Sequence, residues 1–176
     1  MLKVCQNWPK EAFDDELINA KYWDDFEKNA TLAAAEVFRV KDYAEAKAKT
    51  AELIKEFNCK KVIATGGADD PEIQKIYDEL STPEVPIYTE KFELAENAPT
   101  ADLGLSVAEF GVGETGGVCV DTYSYEARVT GMLPPVHAVY VNANYMTENL
   151  TTALKIIARV YKRGYVGFIT GPSRTA

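Results

Sequence analysis

The sequence is short of the residues on which most recognisable sites are built. Its 176 residues include three cysteines and one histidine. Cys5, Cys59 and Cys119 lie far apart and none stands in a C-x-x-C pair, so an iron–sulfur cluster or a structural zinc built from this chain alone is not expected. With His137 the sole histidine, any mechanism needing two is excluded within one chain. No apolar run approaches the length of a membrane-spanning helix. There is no G-x-G-x-x-G fingerprint, no internal repeat and no low-complexity linker. Cations are outnumbered, 19 Lys and Arg against 27 Asp and Glu, for a net charge of -8. That balance argues against non-specific nucleic-acid binding and against an anionic membrane surface, both of which need a cationic face. An odd cysteine count without a signal-peptide pattern points to a reducing, cytoplasmic setting.

What is present suits a packed domain: 47% of the residues are hydrophobic. An acidic amphipathic helix is expected over 14–28, within an N-terminal helical segment of residues 1–32, ahead of one domain over 33–176. Residues 34–40 read as a strand. Asp42-Tyr43-Ala44-Glu45 is a capping-box pattern at the head of a helix over 43–57. Lys61 to Thr65 is a β-branched run, a buried parallel strand. Asp70 and Pro71 suit the N-cap and first position of a helix ending near Pro83. Val85-Pro86-Ile87-Tyr88 suits an edge strand, since proline cannot donate to a central ladder. Residues 89–100 and 123–128 read as polar or aromatic loops. Strands follow at 136–141 and 165–170, around a helix over 147–161 whose Leu150, Ala153, Leu154, Ile157 and Ala158 recur at helical spacing. Alternating strands and helices give the fold class: α/β, a mostly parallel Rossmann-like sheet with helices on both faces.

Two glycine-bearing stretches could carry chemistry. In the first, Gly66 and Gly67 follow a strand and precede a helix; their amides could face a ligand, or form a tight βα turn. The second holds four glycines in the seven positions 111–117, around Glu114 and Thr115. It reads as an active-site loop presenting one carboxylate and one hydroxyl, or as a hairpin with an exposed Glu. At the end of the sequence, Gly171-Pro172-Ser173-Arg174-Thr175 reads as the turn that starts a helix, where amides and the Arg174 fork would attract an anion. Asp102 is expected to satisfy backbone amides at its strand's start, and His137 to be a structural strand-end histidine.

Four blocks in this order and spacing carry a resemblance: Ala101-Asp102-Leu103-Gly104-Leu105, Gly113-Glu114-Thr115-Gly116, Leu133-Pro134-Pro135-Val136-His137, and Thr170-Gly171-Pro172-Ser173-Arg174-Thr175-Ala176. The chain resembles the lactate-utilisation protein C family, whose members are single LUD domains. The resemblance implies a NagB/RpiA/CoA-transferase-like fold and a subunit of a bacterial system that oxidises L-lactate to pyruvate. It places the iron–sulfur clusters in partner subunits and none in this chain. Gly117 departs from the family, where a threonine often follows Glu-Thr-Gly. The family continues past this sequence's end, so the fold is expected to lack its last helix and strand. On this reading Glu114 and Thr115 are the catalytic candidates. Gly66, Gly67, Gly113, Gly116, Ser173, Arg174 and Thr175 are the substrate-binding candidates, for a small carboxylate or other anion, and no metal ligands are expected. Two other functions stay open: an acyl- or CoA-transferase-like enzyme with Glu114 as nucleophile, and a non-catalytic binding or regulatory subunit.

Overall fold

The computed structural model describes residues 17–160 and 166–172. In chain order the elements are α1 (Trp23–Leu32), α2 (Tyr43–Glu56), β1 (Val62–Ala64), α3 (Pro71–Leu80), β2 (Ile87–Tyr88), α4 (Lys91–Asn97), β3 (Leu103–Val107), β4 (Phe110–Val112), β5 (Gly117–Asp121), α5 (Tyr125–Met132), β6 (Val136–Tyr140), β7 (Met146–Thr147), α6 (Leu150–Val160) and β8 (Val166–Ile169). Short 3-10 turns stand at Ala20–Tyr22 and Ala98–Thr100. The described residues divide into two compact units: 39–107 with 124–140, and 17–38 with 108–123, 141–160 and 166–172.

Unit 1 is the parallel half. Its four strands run in the order β2-β1-β3-β6, every pairing parallel, with β2, which Pro86 precedes, on an edge as the sequence predicts. Side chains alternate across this sheet. One face packs Val62, Ala64, Leu103 and Leu105 against Ala46 of α2 and Ile73, Ile76 and Tyr77 of α3. The other packs Ile63 against Leu94 of α4 and Val129 of α5. Fully burying a residue such as Ile63 or Leu103 contributes about 2 kcal/mol. Asp42 caps α2 by accepting from Glu45 N at 2.9 Å, and the Glu45 carboxylate reaches back to Lys41 N, one residue earlier than an ideal capping box. Asp70 caps α3 by accepting from Glu72 N and Ile73 N. Asp102 Oδ2 accepts from Lys60 N and Lys61 N, tying the start of β3 to that of β1.

Unit 2 holds a mixed sheet, β7-β4-β5-β8, in which β4–β5 is an antiparallel hairpin, β7 lies parallel to β4 and β8 antiparallel to β5. Phe110, Val112 and Cys119 of the hairpin pack with Ile18 and with Ala153 and Ile156 of α6. Asn149 caps α6 through Thr152 N at 2.9 Å. Thr147, expected in that helix, instead pairs with Val112 as part of β7.

Other expectations are corrected too. Residues 34–40 join neither sheet. Helix α1 runs on to Leu32 and closes with Ala34 at φ 65, Ala35 N donating to Ala30 O at 3.0 Å. That left-handed closure turns the chain out of the extended path a strand needs. Residues 91–97 form α4 rather than a loop, on the single buried anchor Leu94, which gives no legible period. Residues 125–132 form α5, capped by Ser124 Oγ accepting from Ala127 N at 3.1 Å. Of the expected helix over 14–28, residues 14–16 lie outside the described residues.

Candidate functional site

The turn of the β4–β5 hairpin is residues 113–116, and the described structure fixes it from several sides. Gly113 N donates to Thr147 O at 2.8 Å, Glu114 N to Glu148 O at 2.9 Å, and Gly116 N to Val112 O at 2.9 Å. Asn29 Nδ2 donates to Gly113 O at 2.8 Å. Gly116 sits at φ +65, and a Cβ there would collide with the Ala30 amide nitrogen. Glycine is needed at this position both for the backbone conformation and for the approach of α1. Thr115 Oγ1 accepts from Gly117 N at 3.1 Å, which leaves its proton free to donate elsewhere.

Glu114 is exposed. Its Oε2 accepts from Leu150 N at 3.1 Å, at the N-terminus of α6, where a negative charge meets the helix dipole. One oxygen of this exposed carboxylate is thereby anchored. A carboxylate so held can accept a proton or a donor from a small molecule without first ordering itself. Position 117 adds a second hydroxyl: a Cβ there would collide with Thr170 Oγ1 and lie 3.1 Å from Thr115 Oγ1. The absence of a side chain at Gly117 is what lets the two threonine hydroxyls close over it.

Glu114, Thr115, Gly113 and Gly116 are thus together on one turn of unit 2. Gly66 and Gly67 belong to unit 1. Gly66, at φ +91, packs against Val107, whose Cγ2 would lie 2.6 Å from a Cβ at that position. The amides at the head of α3 are taken by Asp70, which also accepts from Tyr43 Oη at 3.0 Å. Ser173, Arg174 and Thr175 lie outside the described residues.

A sequence model of the LUD domain matches residues 23–176. The chain belongs to the LUD-domain family. That family is associated in general with lactate utilisation. Among solved structures, the LUD-domain chain is similar in fold to a DUF162 family protein from Deinococcus radiodurans. The two are 19% identical, with a TM-score of 0.64 over 86% of this chain and 88% of that one. No curated protein matches the sequence.

Cys59 and Cys119 are both buried, and burial pushes each thiol up, away from the reactive thiolate. Among the described residues no three of His, Cys, Asp and Glu are grouped to hold a metal, and no helix is long and apolar enough to cross a membrane.

The residues that sequence reasoning missed are those brought together by strand order. Ser106 Oγ and His137 Nε2 share a 2.8 Å hydrogen bond across β3 and β6. Burial lowers the His137 imidazole to about 4. Glu126, on α5, is 2% exposed and its Oε1 has no hydrogen-bond partner. Only the Ser124-x-Glu126 cap pattern could have signalled the helix that carries it.

Proposed function

We propose that this LUD-domain chain is the non-redox subunit of a cytoplasmic system that oxidises L-lactate to pyruvate, and that it holds the 2-hydroxy acid at the Glu114 turn. The observation that carries this reading is the anchoring of an exposed Glu114 through one oxygen, in a chain whose family is associated with lactate utilisation. Glu114 Oε1 takes the proton of the substrate hydroxyl. Thr115 donates to the substrate carboxylate, and Arg174 supplies the bidentate fork. As the carbonyl forms, the C–H bond at the alcohol carbon breaks; its proton passes to solvent and its two electrons leave, one at a time, to iron–sulfur partner subunits.

Thermal unfolding of the full chain with L-lactate, pyruvate, glycolate and acetyl-CoA tests the reading. L-lactate at about 100 times its dissociation constant stabilises the parent by about 2.7 kcal/mol, and Glu114→Gln and Arg174→Ala abolish the shift. If acetyl-CoA alone stabilises and leaves an acyl adduct on Glu114, the chain is an acyl- or CoA-transferase-like enzyme instead. If no small molecule binds but the chain co-purifies with iron–sulfur partners, it is a non-catalytic subunit.

A further inference from the structure

Helix α6 carries more apolar surface than the core of unit 2 covers. Ala153 and Ile156 are buried with Phe110, Val112 and Cys119 of the hairpin, and Ile157 packs at the margin of that cluster. The neighbouring row on the helix, at a spacing of four, is Leu150, Leu154 and Ala158. All three are exposed, and Leu154 keeps 57% of its surface in water. The row beyond it is Thr151, Lys155 and Arg159, exposed as well. An apolar ridge therefore runs along α6 beside a cationic one. Rows of this spacing are the ridges that a second helix packs against.

Charge identifies the occupant. The sequence has a net charge of -8, yet α6 is the one described α-helix without an acidic residue; its charges are Lys155 and Arg159. Lys155 has no ion-pair partner among the described residues. A second copy of α6 laid on this one would set cations against cations, and like charge across an interface disfavours the pairing. An acidic helix meets the opposite charge there. Glu114 and Glu148 border the N-terminal end of α6, so the acids of such a partner belong along its C-terminal half, where Lys155 and Arg159 stand.

We infer that the ridge of Leu150, Leu154 and Ala158 docks an amphipathic helix of a partner protein, one whose apolar row is flanked by acidic residues. The apolar row of the partner covers Leu150 and Leu154, and its acids lie against Lys155 and Arg159 at the rim, where charge selects a partner more than it adds affinity. The ridge begins at Leu150, whose amide holds Glu114 Oε2, so one end of the docked helix lies beside the hairpin turn. Docking needs no ligand at Glu114, so it and the lactate reading fail separately.

The probe is a fluorescein-labelled synthetic peptide of about 18 residues, long enough to form a helix, with a leucine row flanked by glutamates. The same peptide with lysines in place of the glutamates is the control. Fluorescence anisotropy with the full chain is expected to show saturable binding of the acidic peptide, and binding of the lysine peptide weaker by about tenfold, as two rim pairs turn from attraction to repulsion. Leu154→Glu is expected to weaken the acidic peptide by at least about tenfold, through the lost apolar contact. Lys155→Glu is expected to weaken it by about fivefold and to tighten the lysine peptide. Both side chains are exposed, so both variants are expected to melt with the parent. No saturable binding of the acidic peptide overturns the inference, as does unchanged affinity in Leu154→Glu. Equal binding of the two peptides overturns the charge assignment. A parent dimer in light scattering that Leu154→Glu dissociates gives the ridge to a second copy and also overturns the inference. Should Leu154→Glu not fold, Lys155→Glu carries the test, and unchanged affinity there overturns the site.

Discussion

Glu114 and Glu126 each stand at the head of a helix, yet the two regions around them treat a carboxylate in opposite ways. At the hairpin of unit 2, Glu114 is exposed and one oxygen is engaged by the amide of Leu150. On the α5 face of unit 1, Glu126 is 2% exposed and Oε1 has no partner. The hairpin spends its hydrogen bonds on holding a charged group still in water. The α5 face takes a carboxyl group out of water and leaves its Oε1 without a partner. A carboxylate of the first kind is ready for solvent-delivered chemistry, and one of the second kind is closed to it. The contrast shows that position at a helix start does not define a carboxylate's role; the number of donors that reach it does.

The largest expected effects come from the glycine that closes each region. Gly116→Ala puts a Cβ into the Ala30 amide at a positive φ, and is expected to cost about 3 kcal/mol or more in urea denaturation. Gly104→Ala meets the Thr130 carbonyl without backbone strain, and is expected to cost about 2 kcal/mol. If the regions are independent, Gly104→Ala shifts the His137 imidazole resonances and leaves lactate binding alone, while Gly116→Ala does the reverse. A variant that does both breaks the comparison.

Acid separates the regions next. The His137 imidazole is lowered by burial from its ordinary 6.5 to about 4. The unfolded chain therefore takes up a proton in a range where the folded chain does not. The stability that His137 contributes is complete above about pH 6.5 and is lost as pH falls toward 4, by at most about 3 kcal/mol. Denaturation midpoints followed against pH are expected to show this loss in the parent and a flattened profile in His137→Asn.

Smaller effects sharpen the hairpin half. Glu114→Ala removes the group that meets α6 and is expected to cost about 1 kcal/mol, whereas Glu114→Gln keeps an acceptor for Leu150 N and costs less than about 0.5 kcal/mol. Binding of L-lactate is expected to fail in both, so comparing melting curves with and without L-lactate separates anchoring from ligand contact. The smallest expected change is a gain. Ala34 holds φ 65 at the close of α1, and Ala34→Gly is expected to stabilise by about 1 kcal/mol, seen as a raised urea midpoint.

Local chemistry settled much of this protein before any tertiary contact was known. Asp42 and Asp70 mark helix starts because a short carboxylate before a helix reaches the amides two and three residues on. The run from Val62 and the proline in front of Ile87 set a buried strand and an edge strand, and the apolar spacing through Ala153 and Ile157 set α6. Glu114 on its glycine turn was also legible, because a lone carboxylate among glycines needs no partner to be noticed. Other features depended on tertiary contact. The hairpin joins a mixed sheet rather than extending the parallel one, because β7 and β8, not β3, supply its ladder partners. Residues 34–40 form no strand because none of the described ladders has a place for them. Ser106 and His137 meet because β3 and β6 are neighbours, and Glu126 is buried because α5 lies across them. Those pairings join residues distant in sequence, and hydrogen bonds of that kind exist only once the sheet order is decided.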